Sequence, residues 1–150
     1  MIKAIYFDMD GTIANLYQVE NWLPKLRAHD ESPYLEAIPM LRLCSLARIL
    51  NKLQRMGYKI GIVSWLSKDP NKEYGEKVTA AKLHWLAKHL PSVHFDEIKI
   101  VPYGMAKSQV ISYKNGILFD DEENNRNEWE TNGGVAYDVN EIIEILKKIK

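Results

Sequence analysis

The stretch IKAIYFDMDGT, residues 2–12, sets the reading of the whole chain. Its first six residues form a short apolar run that stops abruptly at Asp8-Met9-Asp10-Gly11-Thr12, the pattern of a buried strand ending in a polar loop. The Asp8–Asp10 spacing lets two carboxylates from one loop flank a single reacting centre. Gly11 frees the backbone to turn sharply and to approach a ligand closely. A calcium loop can open the same way, but it needs glycine where Ile13 stands and a bidentate glutamate where Val19 stands. Receiver domains of response regulators also gather acids on such sheets, as an adjacent pair after the first strand rather than an alternating one.

Working outward, residues 15–39 are broken by Pro24, Pro33 and Pro39 and predict a small insertion with one or two short helices. Leu43, Leu46, Ile49, Leu50 and Leu53 recur at helical spacing, and Gly57 suits the stop. Cys44 lies among these apolar positions and reads as a small core residue. Residues 58–64 predict a strand, 72–90 a second helix ended by Pro91, 97–101 a strand, and 107–112 a helical turn. Two more strands are expected at 116–119 and 134–137. A last helix carries Val139, Ile142, Ile143, Leu146 and Ile149 on one face, opened by Asp138 and Glu141 as a capping pair.

Strands alternating with helices predict an α/β, three-layer Rossmann-like fold in which a parallel sheet is covered on both faces. The length of 150 residues suits a single domain, 1–150, with its insertion at about 15–39. Ligands of such sheets bind beyond the carboxyl ends of the strands. At those ends stand the 8–12 loop, Ser64-Trp65 and Asp120-Asp121.

Composition narrows the function classes. The 46% apolar and 10% aromatic content supports a packed core, and 20 basic against 20 acidic residues disfavour a polyanion-coating role and a nucleic-acid partner. One cysteine offers neither a disulfide nor a cysteine-rich zinc site. No run approaches the roughly 18 apolar residues of a membrane span, and acids arrive too early for a secretory signal, so a cytoplasmic protein without a membrane partner is expected. His84 and His89 stand about 140° apart around a helix and do not share a face, and His29 and His94 have no partners at ligand spacing.

The acids at the strand ends suit phosphoryl chemistry. A divalent ion held by oxygens would neutralise carboxylates and a phosphate together, one aspartate would attack while the other shuttles a proton, and Ser64 would donate to a phosphate oxygen. Oxygen ligands favour Mg2+ and would accept manganese. In the insertion, Tyr17, Trp22 and Tyr34 offer rings either for stacking on a flat ligand such as a base or for packing within the insertion itself, and Trp65 directly follows Ser64, at the edge of the expected pocket.

The sequence resembles the haloacid dehalogenase (HAD) superfamily of phosphoaspartate phosphatases. Its four motifs are matched by IYFDMDGT, by Ser64 ending KIGIVS, by Lys107 in YGMAKSQVI and by GILFDDEEN. The resemblance implies Asp8 as nucleophile and metal ligand, and Asp10 as general acid and base binding Mg2+ through its carbonyl. It further implies Asp120 as third ligand supported by Asp121, Ser64 and Lys107 on the phosphate, and an anion hole from the amides after Asp8, with Gly11 and Thr12 shaping the loop.

Within that superfamily the pattern is similar to the 5′(3′)-deoxyribonucleotidases, which have an Asp-Asp fourth motif and a second lysine on the helix after motif two. Tyr74, Glu76, Lys77 and Trp85 stand in that region, which implies Lys77 as a further phosphate ligand. Two features depart from that family: the insertion is shorter, and its Thr-Ser-Pro is Val63-Ser64-Trp65 here. The expected activity is a Mg2+-dependent phosphomonoesterase acting on nucleoside monophosphates. The alternatives are a phosphatase for a nucleic-acid end, a phosphoprotein or another small phosphate, a phosphotransferase, and a non-catalytic phosphate- or partner-binding protein.

Overall fold

Ala4, Ile5, Tyr6 and Phe7 are all at most 2% exposed, as a central strand covered on both faces requires. In the computed structural model, which describes residues 3–149, they form β1 (Ala4–Phe7). The expected first position of that strand, Ile2, lies outside the described residues. Next come β2 (Ala14–Asn15), a 3-10 turn (Leu16–Gln18), α1 (Trp22–Arg27), α2 (Ser32–Glu36) and β3 (Ile38–Pro39). α3 (Leu43–Arg55), β4 (Lys59–Trp65), α4 (Lys72–His89), β5 (Glu97–Val101) and α5 (Lys107–Val110) follow. The chain continues with β6 (Ile117–Phe119), α6 (Glu123–Thr131), β7 (Val135–Tyr137), a second 3-10 turn (Val139–Glu141) and α7 (Ile142–Lys148).

Five strands make one parallel sheet in the order β5-β4-β1-β6-β7. The chain runs outward from β1 through β4 to β5, then returns to the other side of β1 for β6 and β7. The direction of winding therefore reverses at β1, and the carboxyl ends of β1, β4 and β6 surround the crevice that this reversal opens.

The period of two along the strands divides the core. Ile5, Phe7, Ile60, Ile62 and Phe119 face one side, where α3, α7 and the end of α4 supply Leu46, Leu50, Leu53, Ile142, Leu146 and Trp85. Ala4, Tyr6, Val63 and Leu118 face the other, against Ile111 and Trp129. A third cluster lies apart from the sheet: Leu16 and Tyr34 of the segment between β2 and β3 pack on Tyr74, Val78 and Ala81 of α4. The antiparallel pairing Ala14↔Pro39 and Asn15↔Ile38 ties the two ends of that segment together.

Asn71 caps α4 by accepting from the Tyr74 amide at 2.8 Å, and Asp138 and Glu141 form the expected capping box. Two features differ from the sequence reading. Cys44 is exposed, not in the core: Leu43, Leu46, Leu50 and Leu53 define the inward face of α3, and one residue further turns the side chain by about 100°. Helix α6, ENNRNEWET, was not expected, because Trp129 is its one apolar anchor and leaves no periodicity to read. Among the described residues no helix is long and apolar enough to cross a membrane.

Candidate active site

Asp8 and Asp120 are the first residues beyond β1 and β6, two neighbouring parallel strands, so the sheet itself sets their carboxyl groups side by side. Lys107, at the start of α5, inserts its ammonium between them, 2.9 Å from Asp8 Oδ1 and 2.7 Å from Asp120 Oδ2. The Lys107 and Asp120 side chains are 1% and 0% exposed. The other oxygen of Asp120 accepts from the Glu122 amide at 2.9 Å, and Asn125 Nδ2 donates to Oδ2 at 3.2 Å.

Thr12 joins the loops after β1 and β6. Its hydroxyl donates to Asp8 Oδ2 at 3.0 Å and accepts from the Asp121 amide at 3.2 Å. The 8–12 loop curls around one carbonyl, since the amides of Thr12, Ile13 and Ala14 all donate to Met9 O at 3.0 Å. Gly11 has φ +79°, in the left-handed region, and a Cβ there would lie 2.3 Å from Asp121 Oδ2. The glycine thus serves the close approach of the two loops as well as the turn.

At the end of β4, the fully buried Ser64 does not line the cavity above the acids; its Oγ accepts from Lys82 Nζ at 2.7 Å. Lys82 also donates to Asp10 Oδ2 at 2.8 Å and to Trp65 O at 2.6 Å. Lys82 was not singled out from the sequence, whereas Lys77, expected here, is exposed elsewhere on α4. Five positions separate the two, which turns a helical side chain by about 140°. The face of α4 that packs on the core and the insertion holds Tyr74, Val78, Ala81 and Trp85, and Lys82 lies next to Ala81 in that buried set. A lysine flanked by buried apolar positions was the signal available in the sequence. Asn125 was missed together with its helix.

A cavity of about 530 Å³ opens over these groups. Asp8, Asp10, Lys107, Asp121 and Asn125 line its floor. Tyr17, Trp22 and Tyr34 line it from the insertion, and Trp65 and Tyr103 from the sheet side. Tyr17 meets Trp22 edge to face at 5.0 Å, and Trp65 leans on Tyr103 at 4.8 Å.

Crowding of like charge shapes the electrostatics. Burial, and then the charge of Asp8, push Asp120 up to about 6 and Asp121 up to about 8. Asp10 is also raised, by burial first, against the pull of Lys82. Burial alone would lower the Lys107 ammonium, but Asp8 and Asp120 outweigh it and hold the group above its ordinary value. Asp8, Asp120 and Asp121 each offer an oxygen, all within 4.8 Å of one another. Hard oxygen donors that repel one another at this spacing fit a divalent cation such as Mg2+. Among the described residues no histidine lines the cavity: His29 pairs with Asp69, which does line it, His89 leans on Trp85, and His84 and His94 are exposed.

No protein-family model matches the chain, and no curated protein sequence does. Solved structures match it. D,D-heptose 1,7-bisphosphate phosphatase from Burkholderia thailandensis superimposes with a TM-score of 0.56 at 13% identity, covering 88% of this chain and 74% of that one. The same enzyme from B. bronchiseptica, complexed with magnesium and phosphate, gives 0.56 at 12% identity over 90% and 79%. A HAD family enzyme from Bacteroides thetaiotaomicron gives 0.52 at 12% identity over 91% and 93%. Likeness at such identities speaks for architecture, and with the parallel β5-β4-β1-β6-β7 sheet it establishes that this chain has the Rossmann-like α/β fold of the HAD proteins.

Proposed function

We propose that this chain is a Mg2+-dependent phosphomonoesterase that works through a phosphoaspartate on Asp8 and acts on nucleoside monophosphates in the cytoplasm. The observation that carries the reading is the set of three carboxylates, Asp8, Asp120 and Asp121, gathered within 4.8 Å at the ends of neighbouring strands, with the buried Lys107 bridging two of them. The magnesium and phosphate bound in the B. bronchiseptica neighbour support it by analogy of fold.

In this reading Asp8 attacks phosphorus, and the bond to the ester oxygen breaks. Asp10 gives that oxygen a proton and later takes one from the water that attacks the phosphoaspartate, which frees phosphate and restores Asp8. Lys107 lines the cavity and balances the charge of the bound phosphate. Magnesium, held by Asp8, the Asp10 carbonyl and Asp120 with Asp121 beside them, would supply charge neutralisation at the phosphate. The amides of Met9 and Asp10 are left for the anion hole, since those of residues 11–14 are bonded within the loop.

The segment between β2 and β3 acts as a small cap. Its Tyr17, Trp22 and Tyr34, with Trp65 and Tyr103 from the sheet side, give the leaving group an aromatic wall suited to a nucleobase. The cavity of about 530 Å³ lies within the range of small-molecule sites, roughly 300–1,000 Å³.

Phosphate release from ribo- and deoxyribonucleoside monophosphates and sugar phosphates, with magnesium and with chelator, tests this. The expected result is magnesium-dependent release that prefers nucleotides and vanishes in Asp8→Asn. Undiminished turnover by that variant refutes the phosphoaspartate, and sugar phosphates preferred over nucleotides refute the substrate class.

A further inference from the structure

Lys82 is a buried charge to which the proposed chemistry gives no task. Its side chain is 1% exposed, and its ammonium has three acceptors: Asp10 Oδ2 at 2.8 Å, Ser64 Oγ at 2.7 Å and Trp65 O at 2.6 Å. An ammonium has three N–H donors, so all of them are engaged. Lys82 does not line the cavity, whereas Asp10 does. Contact with a bound phosphate would require the lysine to abandon one of its partners.

A buried ammonium is costly unless paired and fully hydrogen-bonded. Here two of the three acceptors, Ser64 Oγ and Trp65 O, belong to the end of β4 and are fixed by the sheet. The third is the Asp10 carboxylate, on a loop from β1. Lys82 therefore carries the rigidity of β4 across to the one side chain in the floor that must both give and receive a proton. Asp10 itself lines the cavity, and Oδ2 is the oxygen that Lys82 holds.

We propose that Lys82 is a positioning residue, which, held by Ser64 and the Trp65 carbonyl, sets the Asp10 carboxyl for proton transfer to the leaving oxygen. The proposal rests on the phosphatase reading. In the step concerned the bond from Asp8 oxygen to phosphorus forms, the bond from phosphorus to the ester oxygen breaks with its electron pair on that oxygen, and the proton of Asp10 neutralises it. Ser64 then acts behind Lys82, holding it.

The test uses esters that differ in their need for that proton. An alkyl phosphate releases a basic alkoxide and needs it; 4-nitrophenyl phosphate releases a stabilised phenolate and does not. Since kcat/KM reports only steps up to phosphoryl transfer, the later role of Asp10 with water does not enter. Lys82→Met is expected to lower kcat/KM for the alkyl ester by about 100-fold, the low end of a general-acid contribution, and to change the aryl ester far less. Ser64→Ala, a smaller change that keeps the lysine and so guards against a Lys82→Met that does not fold, is expected to show the same selective loss at about tenfold.

Equal losses for both esters in the folded variants, checked by thermal unfolding, would overturn the proposal and leave Lys82 a purely structural ion. Hydrolysis of neither ester by the unaltered protein would overturn the phosphatase reading itself, and the positioning role with it.

Discussion

The floor and the walls of one cavity are built by opposite means. On the floor, Asp8, Lys107 and Asp120 have side chains at most 9% exposed, and hydrogen bonds of 2.7–3.2 Å fix them. In the walls, Tyr34 is buried and Trp65 Nε1 donates to Met105 O at 2.8 Å, but Tyr17 is 43% and Tyr103 48% exposed, and the pairs Tyr17–Trp22 and Trp65–Tyr103 meet at centroid distances of 4.8–5.0 Å. Directional bonds hold atoms to within tenths of an ångström, which in-line phosphoryl transfer demands. Ring pairs prefer edge-to-face or offset geometry but accept centroid separations anywhere from about 4.5 to 7 Å, a far wider tolerance than a hydrogen bond allows. On the proposed reading, the rigid strand ends would carry the chemistry and the proline-broken segment, which supplies Tyr17, Trp22 and Tyr34 to the walls, would carry recognition.

Removing the central cation of the floor breaks this contrast most severely. Lys107→Ala leaves Asp8 and Asp120 as buried carboxylates without a counter-ion, and urea unfolding should show a loss of about 3–5 kcal/mol. A loss below about 1 kcal/mol, the worth of an exposed pair, would mean the floor is not the rigid region described. Gly11→Ala comes next. The left-handed conformation costs about 1–2 kcal/mol for a residue with a Cβ, and the new methyl would press on Asp121 Oδ2 and, at 2.8 Å, on Tyr17 Cε2. Calorimetry should show magnesium affinity falling about 10- to 100-fold, the usual cost of displacing what orients a ligand. Unchanged affinity would remove Asp121 from the proposed metal site.

The seam between floor and walls gives a smaller effect. Trp85, 1% exposed beneath the inserted segment, donates from Nε1 to the buried Ala37 carbonyl at 2.7 Å. Trp85→Phe keeps most of the ring and deletes the donor, so an unsatisfied carbonyl should cost about 1–3 kcal/mol in thermal or urea unfolding. A neutral result would show that the segment is held by the contacts of Leu16 and Tyr34 with α4 alone.

The same contrast explains what the sequence could tell. The floor was legible because strand ends leave a polar residue no freedom: IYFDMDGT and ILFDD each place their acids by register alone. α3 was legible because it has one solvent face. α4 buries Trp85 against the sheet and Tyr74 against the insertion, so its two apolar sides blur the period, and Lys82 between them reads as one more helix charge. α6 lay hidden for the opposite reason, one apolar anchor among polar residues. The walls drew on Tyr17, Trp22, Tyr34 and Trp65, all flagged as aromatic, yet Tyr103 joins them only through the approach of β5 to β4.

The smallest expected effect lies in those walls and sharpens the division most finely. Trp22 stands at the start of α1, partly buried, with its ring against Tyr17. An aromatic contact contributes about 0.5–1.5 kcal/mol beyond area burial. Trp22→Ala should therefore raise KM for a nucleoside monophosphate about 2- to 12-fold, since 1.4 kcal/mol is tenfold. It should leave kcat within about twofold, because uniform binding is lost while the floor is untouched. A sugar phosphate, with no flat ring to stack, should show no change in KM. If kcat falls as well, the wall holds the floor in place and the two regions are one device; if KM rises equally for both substrates, Trp22 closes the cavity without reading a base.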